Sequence, residues 1–213
     1  MIPLEVMTVF ALASIALAMS PGPDNIFVLT QSALFGPKSG IFVTLGLCSG
    51  VAVHTTGVAL GVAAVFQSSS IAFNALKIIG ALYLVYLAIH AWKASATPLK
   101  TSSDQMQSSK TLSHRQLYWR GVVMNITNPK VALFFLAFLP QFSDANRGDV
   151  SVQILILGAV FIVCAFVVFT AIACSAGFIA RRFNSDSSAQ KYLNQLSALV
   201  FVALAVRLLF STQ

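Results

Sequence analysis

The sequence predicts an all-α membrane protein with six transmembrane helices in two inverted three-helix repeats, helices one and four broken at proline motifs. Three observations carry this expectation. The chain of 213 residues is 57% hydrophobic and only 9% charged, against roughly 45–50% and 25% in a soluble domain. The stretches between Lys38 and Lys77 and from Val150 to Ala180 hold no charged residue, and each exceeds the ~20 residues that a bilayer crossing takes. Finally, Ser20-Pro21-Gly22-Pro23-Asp24-Asn25 and Asn125-Ile126-Thr127-Asn128-Pro129-Lys130 interrupt the first and fourth apolar runs with prolines that cannot donate a backbone hydrogen bond.

Apolar runs bounded by polar clusters place the helices near residues 4–35, 39–66, 71–93, 116–140, 150–178 and 191–211. The first run has no Lys or Arg before Lys38. It therefore lacks the basic start of a secretory signal and is expected to be a mature membrane helix. In the second, Gly46, Gly50, His54, Gly57 and Gly61 fall on one helical stripe, which predicts a close-packing face. Gln67-Ser68-Ser69-Ser70 is read as a turn. Residues 96–115, rich in Ser, Thr and Lys, form a polar loop between a first repeat, 1–95, and a second, 116–213. Tyr83 and Tyr86 are read as packing aromatics, Lys77 and Arg207 as side chains that snorkel from helix ends, and Trp92 and Trp119 as interface anchors.

The charge of +7 resembles a nucleic-acid signal until the charges are placed. Lys38, Lys93, Lys100, Lys110, Arg115, Arg120, Arg181, Arg182 and Lys191 all fall on alternate connections, with Arg147 alone on the others. The positive-inside bias makes the first set cytoplasmic and puts both termini outside. Anionic lipid then suffices as the partner of these charges, and no nucleic acid is expected. Cys48, Cys164 and Cys174 lie in apolar runs with no pairing motif and are read as packing residues.

Aligning Pro23-Asp24 with Pro129-Lys130 superposes the first helix on the fourth, and aligning Leu76 with Leu193 superposes the third on the sixth. Three helices per half make the second half inverted, and interrupted helices in matching places mark a midplane binding site in secondary transporters. Freed backbone groups in hydrocarbon cost several kcal/mol each unless satisfied, so both breaks should line a cavity; a loop between two interfacial helices is the plainer alternative for the first.

Asp24 and Lys130 occupy equivalent places and are expected to approach each other, because a lone charge at that depth costs about 2.5–3.5 kcal/mol. They form either a structural ion pair or, the favoured reading, a substrate or proton site. The half-helix start after each proline suits a carboxylate and the vacated carbonyls suit an ammonium, a geometry fit for a zwitterion. Asn25, Asn125 and Asn128 supply polar contacts. His54 is either a proton relay or a core histidine bonded to a backbone carbonyl.

Together, Pro21-Gly22-Pro23-Asp24 and Asn128-Pro129-Lys130 resemble the signatures of the LysE/RhtB family of bacterial amino-acid exporters. Leu45-Gly46 to Gly61 around His54, Leu76 to Leu84, and Ala205-Val206-Arg207-Leu208 extend the resemblance along the whole chain. Ser197 departs from it, since glycine is common there. The resemblance implies a bacterial inner-membrane exporter of neutral or basic amino acids, homoserine or homoserine lactones, coupled to protons. Its motif positions are Pro21, Gly22, Pro23, Asp24, Asn128, Pro129 and Lys130. A second copy of the chain is a candidate partner; no cofactor and no metal are expected. A metal exporter would need clustered His, Cys, Asp or Glu, a thiol oxidoreductase paired cysteines, and an intramembrane hydrolase a serine or aspartate dyad; none is spaced that way. An exporter or channel for another small solute or a metal ion stays open as an alternative.

Overall fold

The computed structural model describes residues 2–68, 70–93, 112–185 and 187–210. Segment 96–111 and the side chains of Lys77, Arg181, Arg182, Lys191, Ser197 and Arg207 lie outside the described residues, as does the side-chain alignment at Leu76 and Leu193. Eight α-helices run in the order α1 (Leu4–Met19), α2 (Pro23–Phe35), α3 (Pro37–Ser68), α4 (Ser70–Lys93), α5 (His114–Ile126), α6 (Pro129–Leu133), α7 (Val150–Ser185) and α8 (Ser187–Phe210). There is no strand among the described residues.

Two of these elements cross a bilayer by length and composition. The apolar parts of α3, Pro37–Gly61, and of α7, Val150–Ala176, have 25 and 27 residues, or roughly 37 and 40 Å at ~1.5 Å per residue, enough for a core about 30 Å thick. The pair α1–α2, and α5 with the segment Pro129–Phe142, add two more if each is one bent span, with bends of 62° and 51°. Helices α4 and α8 hold shorter apolar stretches, Ile78–Lys93 and Asn194–Val206. Leu12, Leu60, Val163 and Val167 are more than half exposed, as residues that face lipid would be.

Each break has the same build. Helix α1 ends where Ser20 N–H bonds Ala16 O at 2.9 Å, the chain then extends through Gly22, and α2 starts on Pro23 with Asp24 next. Helix α5 ends at Thr127, Asn128 caps α6 through its side chain, and α6 starts on Pro129 with Lys130 next. Proline at the first helical position loses nothing, because that N–H has no intrahelical partner. The fourth helix begins two residues earlier than expected because Ser113 and Gln116 form a reciprocal capping box. Beyond α6 the chain loosens into a π turn, Phe134–Phe138, and a 3-10 turn, Leu139–Phe142, that contains Pro140. Gly36 joins α2 to α3 at φ 87°, a left-handed conformation that favours glycine.

The long helix α3 is the hub, packing on α2, α5 and α7, while α4 lies along α8 and touches the π turn. The α3–α5 crossing is backbone on backbone. A Cβ at Gly46 would strike the Tyr118 carbonyl, and one at Gly121 would strike the Val43 carbonyl. Tyr118 Oη donates to Ser49 Oγ across the same crossing at 2.9 Å. The expected five-residue stripe is thus only half a packing face: Gly46 and Gly50 meet α5, whereas Gly57 and Gly61 have open space where a Cβ would be. Helix α5 ends at Ile126, and its close contacts with the glycines of the stripe are at Gly46 and Gly50.

On the side of the breaks toward residues 4 and 142, the core is aromatic. Phe10, Phe134, Phe135, Phe138, Phe142 and Phe161 are all buried. Ring centroids lie 4.8 Å apart for Phe134–Phe138, 4.9 Å for Phe135–Phe161 and 5.0 Å for Phe10–Phe142, within the range of favourable aromatic pairs. Over this cluster the Asp144–Gly148 loop is tied down by Gln153, whose Nε2 donates to the carbonyls of Asp144 and Gly148. The backbone amide of Asn146, and after it Arg147, hold the Asp144 carboxyl below its ordinary range.

The crossing gives a direct test. Gly46→Ala and Gly121→Ala are each expected to lose about 1–3 kcal/mol by overpacking, read as a lower melting temperature in detergent, while Gly57→Ala leaves it unchanged.

Candidate functional site

The two breaks come together. Asp24, Asn125 and Lys130 line one enclosed cavity with Leu17, Leu47, Val51, Phe161 and Phe169. Asp24 is 3% exposed, and its Oδ2 accepts from Asn128 Nδ2 at 2.9 Å. The cavity measures about 20 Å³, room for roughly one water.

Lys130 does not reach the carboxylate: no nitrogen–oxygen separation between it and Asp24 falls within the 4.0 Å of an ion pair. Its Nζ donates instead to Ser20 O at 3.0 Å and Leu17 O at 3.4 Å. The two charges approach each other at one cavity, but in place of the structural ion pair there are two separate contacts, for a reason that lies in the backbone. Leu17 O would bond the amide four residues on, and that residue is Pro21, which has none. The ammonium supplies the missing donor, and Asn128 takes its place at Asp24. Asn25 completes the repair, with Nδ2 donating to Ala18 O at 2.7 Å.

The second break is repaired the same way. Pro129 removes the amide that would bond Asn125 O from four residues on; the Asn128 amide donates to that oxygen from three residues on at 3.1 Å, and His54 Nε2 lies 3.2 Å from it as a second partner. A carbonyl only accepts, so Nε2 must carry the proton. His54 also stacks over Phe135, with ring centroids 6.0 Å apart. His54 thus has a backbone-carbonyl partner, as one of the two readings weighed for it expects. The repairs cross the molecule in opposite directions: Lys130 serves carbonyls of α1, and His54 on α3 serves a carbonyl of α5.

Pro21, Pro23 and Pro129 are exposed and act through the backbone they interrupt. Gly22 stands beside the lysine, where a Cβ would come within 3.2 Å of Nζ. A Cβ at Gly50 would come within 2.6 Å of Asn125 Cβ, so that glycine makes room for the asparagine. The apolar walls Leu17, Leu47, Phe161 and Phe169 were not singled out from the sequence; they look like any other core residues there.

Oxygens remain to be used. Asp24 Oδ1, Asn25 Oδ1 and Asn125 Oδ1 are buried without a hydrogen-bond partner, a state that costs free energy unless water or a ligand supplies a donor. The site thus offers acceptors for an ammonium, one ammonium of its own, and apolar walls. Among the described residues no three His, Cys, Asp or Glu gather at metal-ligand distance. A larger groove of about 800 Å³ lies open along the outer face of α5, with Arg115, Trp119, Arg120 and Val123. It holds neither break and no buried charge, so the chemistry is at the smaller cavity.

A multi-pass helical membrane protein whose two broken helices meet at a buried charged cavity is a membrane transporter by build. The LysE type translocator family matches residues 15–212, and the chain belongs to that family. It is 28% identical over 191 residues to "Uncharacterized membrane protein YrhP" of Bacillus subtilis (strain 168), covering 88% of this chain and 90% of that one. It is 27% identical over 199 residues to "Leucine efflux protein" of Salmonella choleraesuis (strain SC-B67), covering 93% and 92%. No solved structure matches the chain.

His54→Phe keeps the ring stack but removes one of the two donors at Asn125 O, leaving the Asn128 amide, so it is expected to lower stability by about 0.5–1.5 kcal/mol. His54→Gln can restore the donor and recover most of the loss. Melting curves of the two purified variants in the same detergent check both.

Proposed function

We propose that this protein exports amino acids or close derivatives across the bacterial inner membrane, with the cavity between the two proline breaks as its substrate site and protons as the coupling ion. The observation that carries the reading is the co-location of a carboxylate with a free oxygen, an ammonium and apolar walls in one enclosed space. A zwitterion can give its ammonium to Asp24 Oδ1 and Asn125 Oδ1 and its carboxylate to Lys130. A side chain such as leucine's would meet Leu47, Val51 and Phe161. The efflux relative named for leucine supports a neutral apolar substrate.

In this reading, six spans form two inverted halves, 1–95 and 116–213, around the polar loop 96–115, with both termini outside. The two matching breaks support it: each has proline first and a charge second, and the bends are similar. A cavity of about 20 Å³ is far below the ~300 Å³ and more of ligand pockets, so the site must open to load. When a substrate carboxylate draws Lys130 away from Leu17 O and Ser20 O, the α1–α2 break loses its donor and is free to bend. Asp24 is the group able to take a proton once substrate has left. This gives alternating access with proton exchange. A second copy of the chain is a further proposed partner.

Three measurements bear on this. Reconstituted protein is expected to drive leucine counterflow and to respond to an imposed proton gradient; movement of no amino acid of any class would defeat the reading. Asp24→Asn should abolish proton-driven transport, whereas Asn128→Ala, which removes the hydrogen bond to Asp24, should raise the apparent KM about tenfold or more, the equivalent of a ~1.4 kcal/mol charge-assisted contact. For orientation, cysteines at Lys100 and Arg181 should be labelled only from the cytoplasm and one at Arg147 only from outside.

A further inference from the structure

The two sides of the cavity are built from different chemistry. Toward residues 4 and 142 lies the phenylalanine cluster, whose rings pack on one another and, at Phe135, on His54. Toward the basic side, where α2 runs to Lys38, the inner face of α2 carries Asp24, Val28, Gln31 and Ser32, all buried. On α7, Phe161, Ala165 and Phe169 line the cavity, and Thr170 and Ala173 follow in the same direction. Helices α2, α3 and α7 converge there: a Cβ on Gly40 would collide with Ser32 Oγ and come within 2.9 Å of Ala173 Cβ.

Gln31 Oε1, Ser32 Oγ and Thr170 Oγ1 are buried with no hydrogen-bond partner. For the two hydroxyls this is exceptional. Buried Ser14, Thr44 and Thr55 each bond the carbonyl four residues back at 2.7–2.9 Å, the default for such residues inside a helix. Ser32 and Thr170 make no such bond, and the Gly40 contact places the Ser32 hydroxyl on the face of α2 turned to α3. In an apolar interior, groups left this way require a polar occupant.

We infer that Gln31, Ser32 and Thr170 line a polar passage, used by water and by a hydrated zwitterion, that joins the Asp24–Lys130 cavity to the basic side of the membrane, with the phenylalanine cluster sealing the other side. Its oxygens give an amino ammonium acceptors between the surface and Asp24, with Gln31 and Ser32 both about two helical turns along α2 from that carboxylate. The passage serves the substrate site proposed above, and its existence is read from access alone.

The test is cysteine labelling in a background with Cys48, Cys164 and Cys174 replaced by alanine, using a small, permanently charged methanethiosulfonate. In oriented membrane vesicles, S32C and T170C are expected to react from the basic side at least tenfold faster than from the opposite side. S14C, fully buried and on the far side of the break, should not react from either. Adding Phe138→Ala should make S32C reactive from both sides. No reaction of either cysteine above that of S14C, or equal reaction from both sides without the phenylalanine substitution, overturns the inference. T170C decides the matter if S32C does not fold. Labelling as expected with no amino-acid transport would sink the substrate reading and leave the passage; transport without labelling would do the reverse.

Discussion

Inside a bilayer every backbone carbonyl needs a donor, and no solvent is at hand to provide one. That constraint organises this molecule. Pro21 and Pro129 each strip a donor from the carbonyl four residues before them, and the side chains that meet at the centre are those that restore it. Lys130 reaches Leu17 O and Ser20 O, His54 reaches Asn125 O, and Asn25 reaches Ala18 O. The cavity lies where these repairs meet, so a ligand that competes for any of the donors acts directly on the helix geometry.

The close α3–α5 crossing serves the same end. Gly46 and Gly121 let the two backbones touch, and Gly50 leaves space for Asn125 one turn further on. With a larger residue at any of these places, His54 would stand too far from the carbonyl it caps. Packing and chemistry at the second break are one arrangement, and substitutions distant from the cavity should be felt in it.

The breaks, the charges beside them and the small-residue face were legible in the sequence because each breaks a strong local rule: proline in an apolar helix, charge in hydrocarbon, glycine at four-residue spacing. The partnerships were not. Asp24 and Lys130 invite pairing as opposite charges at equivalent places, yet the lysine's flexible stem carries its ammonium to carbonyls that sequence does not display as unmet. Asn128 at Asp24 follows from the bend angle, which proline permits but does not set. The lower half of the glycine stripe misled because spacing reveals a face and says nothing of where its neighbour ends. The phenylalanine cluster was hidden for another reason: its members come from α1, α7 and the π and 3-10 turns after α6, segments far apart in sequence.

The order of synthesis adds a consequence. Asp24 leaves the ribosome 106 residues before Lys130 (130 − 24) and 104 before Asn128 (128 − 24), an interval of roughly 5–20 s at about 5–20 residues per second. Throughout it, helices α1–α4 must be accepted by the membrane with an unmatched carboxylate and with the Leu17 carbonyl uncapped. The nascent half cannot finish its own interior; it waits for the second half to deliver the missing donors. A truncated chain ending after α4 would keep that defect for good, which makes it a natural target for quality-control proteolysis and makes assembly of the two halves a single late event.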